Sequence, residues 1–227
     1  MKQGLILRIA YAVLICLVWV SCKKSVITPP AIHMDYFPVD VGHWVEYEMD
    51  STVYDAFFNG KDTSYHYYIR EEITETFTDL EGHKAYRIQR SRRDSLGMPW
   101  QITDIWYANR DEHTGERVEE NVRYVNLVFP PDKKVRWDGN ALNTRPKWEF
   151  RYEKIHSPAD LGAIHFDSTV TVLQIDEANL IEQQYAQEIY AKGVGLVYRK
   201  QHYLETEVDG TIIGGYDFTF KVINWGK

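Results

Sequence analysis

At 227 residues and a formal charge of −7, the chain is long enough for one domain that buries about 70% of its unfolded surface. The acidic balance argues against nucleic acid or an anionic membrane surface as partners. Sixteen Tyr, nine Phe and seven Trp supply ample apolar area for a core.

The first eight residues carry Lys2 and Arg8 and no acid, and 9–20 then run apolar, with Tyr11 and Cys16 the most polar members. A basic n-region followed by an apolar stretch too short to cross a bilayer comfortably reads as a signal peptide. It ends in Val20-Ser21-Cys22-Lys23-Lys24. A small residue directly before a cysteine resembles the bacterial lipobox, although Trp19 stands where that motif usually has leucine. The resemblance implies cleavage after Ser21 and acylation of the Cys22 thiol, and several acyl chains at about 0.8 kcal/mol per buried CH₂ hold a protein on a membrane. Cys16 would leave with residues 1–21, so Cys22 would be the only remaining cysteine. That excludes an internal disulfide and thiol chemistry in the mature domain. Loss of Lys2 and Arg8 makes the mature chain two charges more negative still.

Residues 22–34 read as lipidated cysteine and tether: Thr28-Pro29-Pro30 and the lack of periodicity favour an extended spacer. The β domain is expected over 35–227, opening near Asp35-Tyr36-Phe37-Pro38. From there the signal is period two. Val45, Tyr47 and Met49 alternate with Glu46, Glu48 and Asp50, and Tyr65, Tyr67, Ile69, Ile73 and Phe77 follow. Further strands are expected around 86–88, 100–102, 118–129, 148–152, 170–175, 183–190, 195–208 and 211–225. Turns are expected at Asn59-Gly60, Glu81-Gly82, Thr114-Gly115, Asp138-Gly139-Asn140, Lys192-Gly193 and Asp209-Gly210, where small residues permit positive φ. About ten strands with short returns predict an all-β fold: one antiparallel, strongly curved sheet or partly closed barrel. A helix over 177–191, with Leu180, Ile181, Tyr185 and Ile189 at helical spacing, is the rival. Tyr190-Ala191-Lys192-Gly193-Val194-Gly195 favours a hairpin tip instead.

Three stretches resemble uncharacterised β-rich envelope lipoproteins of Bacteroidota-type bacteria: Tyr36-Phe37-Pro38 leading to Gly42-His43-Trp44-Val45-Glu46-Tyr47, Phe129-Pro130 with Trp137-Asp138-Gly139-Asn140, and Tyr190-Ala191-Lys192-Gly193-Val194-Gly195-Leu196-Val197. The resemblance implies a β-rich lipoprotein of unassigned function and brings no active-site residues.

No motif carries chemistry. Gly193-Val194-Gly195 lacks the third glycine and the helix of a phosphate loop, so both glycines read as structural turn positions. His156, His165 and Asp167 offer zinc-type donors but no metal-binding spacing, and no metal or cofactor is expected. Glu71-Glu72 and Glu119-Glu120 point to opposite faces of their strands, so neither pair flanks one bond unaided. Ser168 sits in no nucleophile motif. Arg90-Ser91-Arg92-Arg93 reads as a solvated strand end. The aromatic load has the widest functional reach, since Tyr67-Tyr68 and Trp106-Tyr107 must place a ring on each sheet face. Tyr67, Trp100, Trp106 and Trp148 are the candidate ligand-binding residues.

These features describe a non-enzymatic lipoprotein at the outer membrane, facing the periplasm. The membrane is reached through the N-terminal lipid, and an apolar or amphipathic ligand, or a partner protein, is held on a concave sheet face. A glycan-binding module using exposed aromatics is the alternative. A hydrolase with a site assembled across strands is the second.

Overall fold

The computed structural model describes residues 31–55 and 62–227. Cys22, the signal peptide, most of the tether and the Asn59-Gly60 turn lie outside the described residues.

After a short 3-10 turn at Met34–Tyr36 come twelve strands. They are β1 (Trp44–Asp55), β2 (Thr63–Thr78), β3 (Lys84–Arg93), β4 (Gln101–Arg110), β5 (Thr114–Glu119), β6 (Val122–Val128), β7 (Arg136–Asp138), β8 (Glu149–Leu161), β9 (Ile164–Ala178), β10 (Glu182–Ala191), β11 (Gly195–Thr206) and β12 (Ile212–Gly226). All join one antiparallel sheet in the order β6-β5-β4-β3-β2-β1-β12-β11-β10-β9-β8-β7, nearly closed into a barrel. The first strand pairs the last, so two meanders meet at β1–β12, and only the seam between β6 and β7 lacks a ladder. Single bonds stitch that seam. The Val125 N–H donates to Gly139 O at 2.9 Å, Trp137 Nε1 donates to Val125 O at 2.8 Å, and Asn143 Nδ2 donates to Arg123 O at 2.8 Å. Covering the free edges in this way removes their capacity to pair with another chain.

Twelve strands exceed the expected ten because two features carry no glycine signal. The stretch 118–129 splits into β5 and β6 at Glu120 and Asn121, which hold φ of 49° and 62°, the left-handed pair that a tight hairpin demands. β7 is three residues long and leaves little pattern to read. Thr114-Gly115 is not a turn. Gly115 lies inside β5 with the Phe37 ring against it, where an added Cβ would meet Phe37 Cγ at 2.9 Å. The turn falls one step earlier, where Asp111 Oδ1 accepts the N–H groups of His113 and Thr114. The helix rival is replaced by β9 and β10, with Leu180 and Ile181 exposed in the connection.

Because the sheet is a meander, successive hairpins alternate between two ends. The β2–β3, β4–β5 and β10–β11 hairpins share one end with the segment leading into β1. That segment closes it. Arg110 on β4 donates to Phe37 O at 2.9 Å, while Gly193 in the β10–β11 hairpin donates its N–H to Asp35 O at 2.8 Å. These anchors stand on opposite arms of the sheet, so the chain between them crosses the mouth. Tyr36, Phe37 and Val39 are buried there with inward-facing Ile73, Ile88, Leu127, Phe150, Val170 and Leu196, each large apolar side chain contributing about 1.5–3 kcal/mol. The β3–β4, β5–β6, β9–β10 and β11–β12 hairpins form the other, open end.

Candidate functional site

Between the two ends the inward positions turn from apolar to charged. Period-two alternation carries Glu71, Arg90, Arg117, Glu119, Glu188 and Arg199 to the concave face from five strands. Arg117 meets Glu71 and Glu119 at 2.9 Å each. Arg199 meets Glu188 at 2.6 Å and Glu119 at 3.4 Å, and Tyr190 Oη donates to Glu188 at 2.5 Å. Burial alone would raise the Glu119 pKa, but Arg199 and Arg117 outweigh it and hold the carboxyl at about 2. Burial and the neighbouring Glu188 push the Tyr190 hydroxyl well above its ordinary range, so it stays a donor. Such a network is a saturated scaffold. Each of its three carboxylates lies within 2.9 Å of an arginine nitrogen.

Arg90 differs. It faces Glu71 and Asp104 at 3.8 Å each, beyond hydrogen-bonding distance. Its guanidinium lies over Trp106 at 4.5 Å and Phe220 at 5.5 Å. Its Nε is buried without a hydrogen-bond partner, as are Nε of Arg117 and Oδ1 of Asn126, so what sets Arg90 apart is the 3.8 Å to its nearest carboxylates.

Arg90 and Asn126 both line a cavity of about 390 Å³ inside the barrel. Its charged wall comprises Arg90, Glu119, Arg145, Glu188 and Arg199, and its aromatic wall includes Trp106, Tyr124, Trp148, Phe150, Tyr216 and Phe218. Along β12 the rings form a ladder from the open end inward, Tyr216–Phe218 stacked at 5.9 Å and Phe218–Phe220 at 5.5 Å, with Tyr203 of β11 beside Tyr216 at 6.0 Å. Exposure falls along it, from 39% at Tyr216 to 6% at Phe220. The size falls at the lower end of ordinary ligand pockets, about 300–1,000 Å³. A barrel of about eight strands is just filled by its own side chains, and a wider one is not. The twelve strands here leave space that the plug fills at one end only.

The four aromatic candidates part company. Trp106 and Trp148 line the cavity, Trp148 packing edge-on against Phe150 at 5.0 Å. Tyr67 is on the concave face but outside the cavity lining, with the Arg92 guanidinium over its ring at 4.0 Å. Trp100 is on the opposite face. Its ring covers Arg93 at 4.1 Å, and Arg93 pairs in register with Tyr68, whose side chain points away from that of Tyr67. Gly193 holds φ of +75° with open space beyond its Cα. Gly195 holds +91°, and an added Cβ would meet Pro38 Cδ of the plug at 3.2 Å.

The basic cluster is not a solvated strand end. Arg90 lines the cavity, Arg93 is largely covered beside Glu46 at 3.7 Å, and only Arg92 stays open, bound to Asp94 at 2.8 Å. Alternation splits adjacent arginines between faces, and both faces are packed. The cavity residues missed in sequence are Arg90, Asn126, Gln174, Arg199 and Gln201. Their signal was a polar residue at the parity of the buried face: Arg199 and Gln201 continue the inward row of Val197.

The histidines do not assemble. His156 accepts or donates at Nδ1 with Tyr36 Oη at 2.6 Å, and burial with His33 nearby lowers its pKa. His165 sits in solvent beside Asp160 at 2.6 Å and Asp167 at 3.4 Å, and the hydrogen bond it donates to the Asp160 carboxylate raises its pKa. Tyr36 Oη also meets Ser168 Oγ at 2.7 Å, so Ser168 belongs to the anchoring of the plug. Among the described residues Asp79, Glu81 and His83 bring three ligand-type atoms within 4.8 Å. Asp79 Oδ1 there accepts the N–H groups of Glu81 and His83, the bonding of a tight turn.

No family model and no curated protein matches the chain. Among solved structures, a candidate lipoprotein from Parabacteroides distasonis is similar at 11% identity and a TM-score of 0.36, over 84% of this chain and 98% of that one.

Proposed function

We propose that the protein is a lipid-anchored envelope protein whose barrel cavity receives one small amphipathic ligand. The supporting observation is the cavity of about 390 Å³ between a charged and an aromatic wall, with Arg90 and Asn126 among its lining residues. The aromatic ladder offers an apolar track from the open end toward those two groups. Anchoring rests on the sequence: an apolar h-region ending in Ser21-Cys22, with the mature protein at the outer membrane and facing the periplasm.

Binding is tested by calorimetric titration of 2-naphthoate and 2-naphthylmethanol into the mature polypeptide, residues 22–227 with Cys22→Ser and no acyl groups. At least one is expected to bind at 1:1 stoichiometry, with Trp148→Ala weakening it severalfold and Trp100→Ala leaving it unchanged. Equal loss in both variants would place the ligand outside the cavity. Anchoring is tested by labelling cells with an alkyne fatty acid. The wild-type chain is expected to take the label and to begin at Cys22, and Cys22→Ser to take none. A labelled Cys22→Ser chain would sink the lipoprotein reading.

A further inference from the structure

We infer that the ligand is an organic anion: a single carboxylate- or phosphate-type head held by Arg90, with one compact apolar body along the β12 rings. The inference rests on the cavity reading above and adds the sign of the ligand's charge and its orientation.

Three arginines and two glutamates line the cavity, but they are not equally engaged. Arg199 spends its charge on Glu188 at 2.6 Å and Glu119 at 3.4 Å. Arg117 behind it does the same with Glu71 and Glu119. Glu71, Glu119 and Glu188 therefore each have a close cationic partner already, and none of the three is left to receive a cationic head. Arg145, the third lining arginine, is exposed and stands over Tyr124 at 5.6 Å, which leaves Arg90 as the remaining inward charge of the waist. Its nearest carboxylate oxygens stand at 3.8 Å, its Nε has no hydrogen-bond partner, and Trp106 and Phe220 flank its guanidinium. A guanidinium held between two rings cannot swing freely, so its donor fork is aimed before the ligand arrives. That is the geometry that suits carboxylate or phosphate.

The apolar side of the ligand follows from the opposite wall. Phe218 and Tyr216 lead outward in a stacked pair, and Trp148 faces the same cavity. An anionic head at Arg90 thus places the body against rings and its far end toward the open end. A volume near 390 Å³ suits a single-bodied molecule rather than a two-chain lipid.

The experiment compares three probes of one shape, 2-naphthoate, 2-naphthylmethanol and 2-naphthylmethylammonium, titrated into the mature polypeptide with Cys22→Ser and no acyl groups. The anion is expected to bind at least about tenfold tighter than the alcohol, as a charge-assisted bond replaces a neutral one. The ammonium is expected to bind more weakly than the alcohol. Arg90→Met, with its urea midpoint checked, is expected to abolish the difference in affinity between the anion and the alcohol. Equal binding of anion and alcohol to the wild-type chain would overturn the anionic head and leave the cavity reading standing. A tenfold anion preference that persists in Arg90→Met would overturn the assignment of Arg90. If none of the three binds, the cavity reading itself falls, and this inference with it.

Discussion

The closed and open ends of the barrel are built from the same twelve strands, yet one keeps a void of only about 60 Å³ beside Phe37 and Pro38 and the other a cavity of about 390 Å³. At the closed end, inward side chains are apolar and a foreign segment, Tyr36 to Val39, is threaded across them and buried. Toward the open end, the same inward rows carry Arg90, Asn126, Gln174, Arg199 and Gln201, and a cavity remains. The difference is one of filling. A sheet this wide encloses more than its own side chains occupy, so a solid interior requires material from elsewhere in the chain. The waist shows a second contrast on a finer scale. Arg117 and Arg199 sit within 2.9 Å of a carboxylate, while Arg90 comes no closer than 3.8 Å. Saturated charges hold the wall in place, and the unsaturated one faces the space.

The largest effect expected is at the saturated pairs. Arg199→Met strands Glu188, which is 2% exposed, and should cost about 3–5 kcal/mol, as breaking one side of a buried pair does. Arg90→Met breaks no hydrogen bond and should cost less than about 1 kcal/mol. Urea melts of the two variants measure the contrast directly. Equal losses would mean that Arg90 is as much a part of the scaffold as Arg199.

Acid should attack the waist next. Glu119 titrates at about 2 in the folded protein against an ordinary 4.5. A depressed carboxyl lends its stability above the unfolded value, and that contribution is lost as pH falls through the folded one. The barrel should therefore weaken between about pH 4.5 and 2, by at most about 3 kcal/mol from this residue. Glu119→Gln should flatten that part of the pH–stability curve, and an unchanged slope would relocate the titrating group.

The smallest effects expected concern the closed end. Gly195→Ala meets both a positive φ of +91° and the Pro38 ring, whereas Gly193→Ala meets only a positive φ of +75°. The first should cost about 2–3 kcal/mol and the second about 1 kcal/mol. Equal thermal or urea midpoints for the two would show that the plug does not press on Gly195.

Much of this architecture was legible before any coordinates. Alternation in β1 and β2, and the glycines of the hairpins at Gly82, Gly193 and Gly210, all at positive φ, point to an antiparallel meander because both signals are local. The Glu120-Asn121 turn and β7 were not legible. Non-glycine residues can enter the left-handed region when flanking strands require it, and a three-residue strand carries too few positions to show a period. Of the four aromatic candidates, Trp106 and Trp148 reach the cavity and Trp100 does not. Period two assigns relative faces within one strand but does not say which face becomes the inside of a closed sheet.

The chain by itself determined the alternating pattern, the acidic balance, the lipobox-like Cys22 and the parity of each inward residue. Each of these is a property of neighbours along the backbone. Only the tertiary structure decided that β1 joins β12, that residues 36–39 fill one end, and that Glu71, Arg117, Glu119, Glu188 and Arg199 satisfy one another while Arg90 is left over. Those outcomes depend on distances between groups as much as 182 positions apart, such as Trp44 and Gly226. Such distances are set by sheet closure and not by any local pattern.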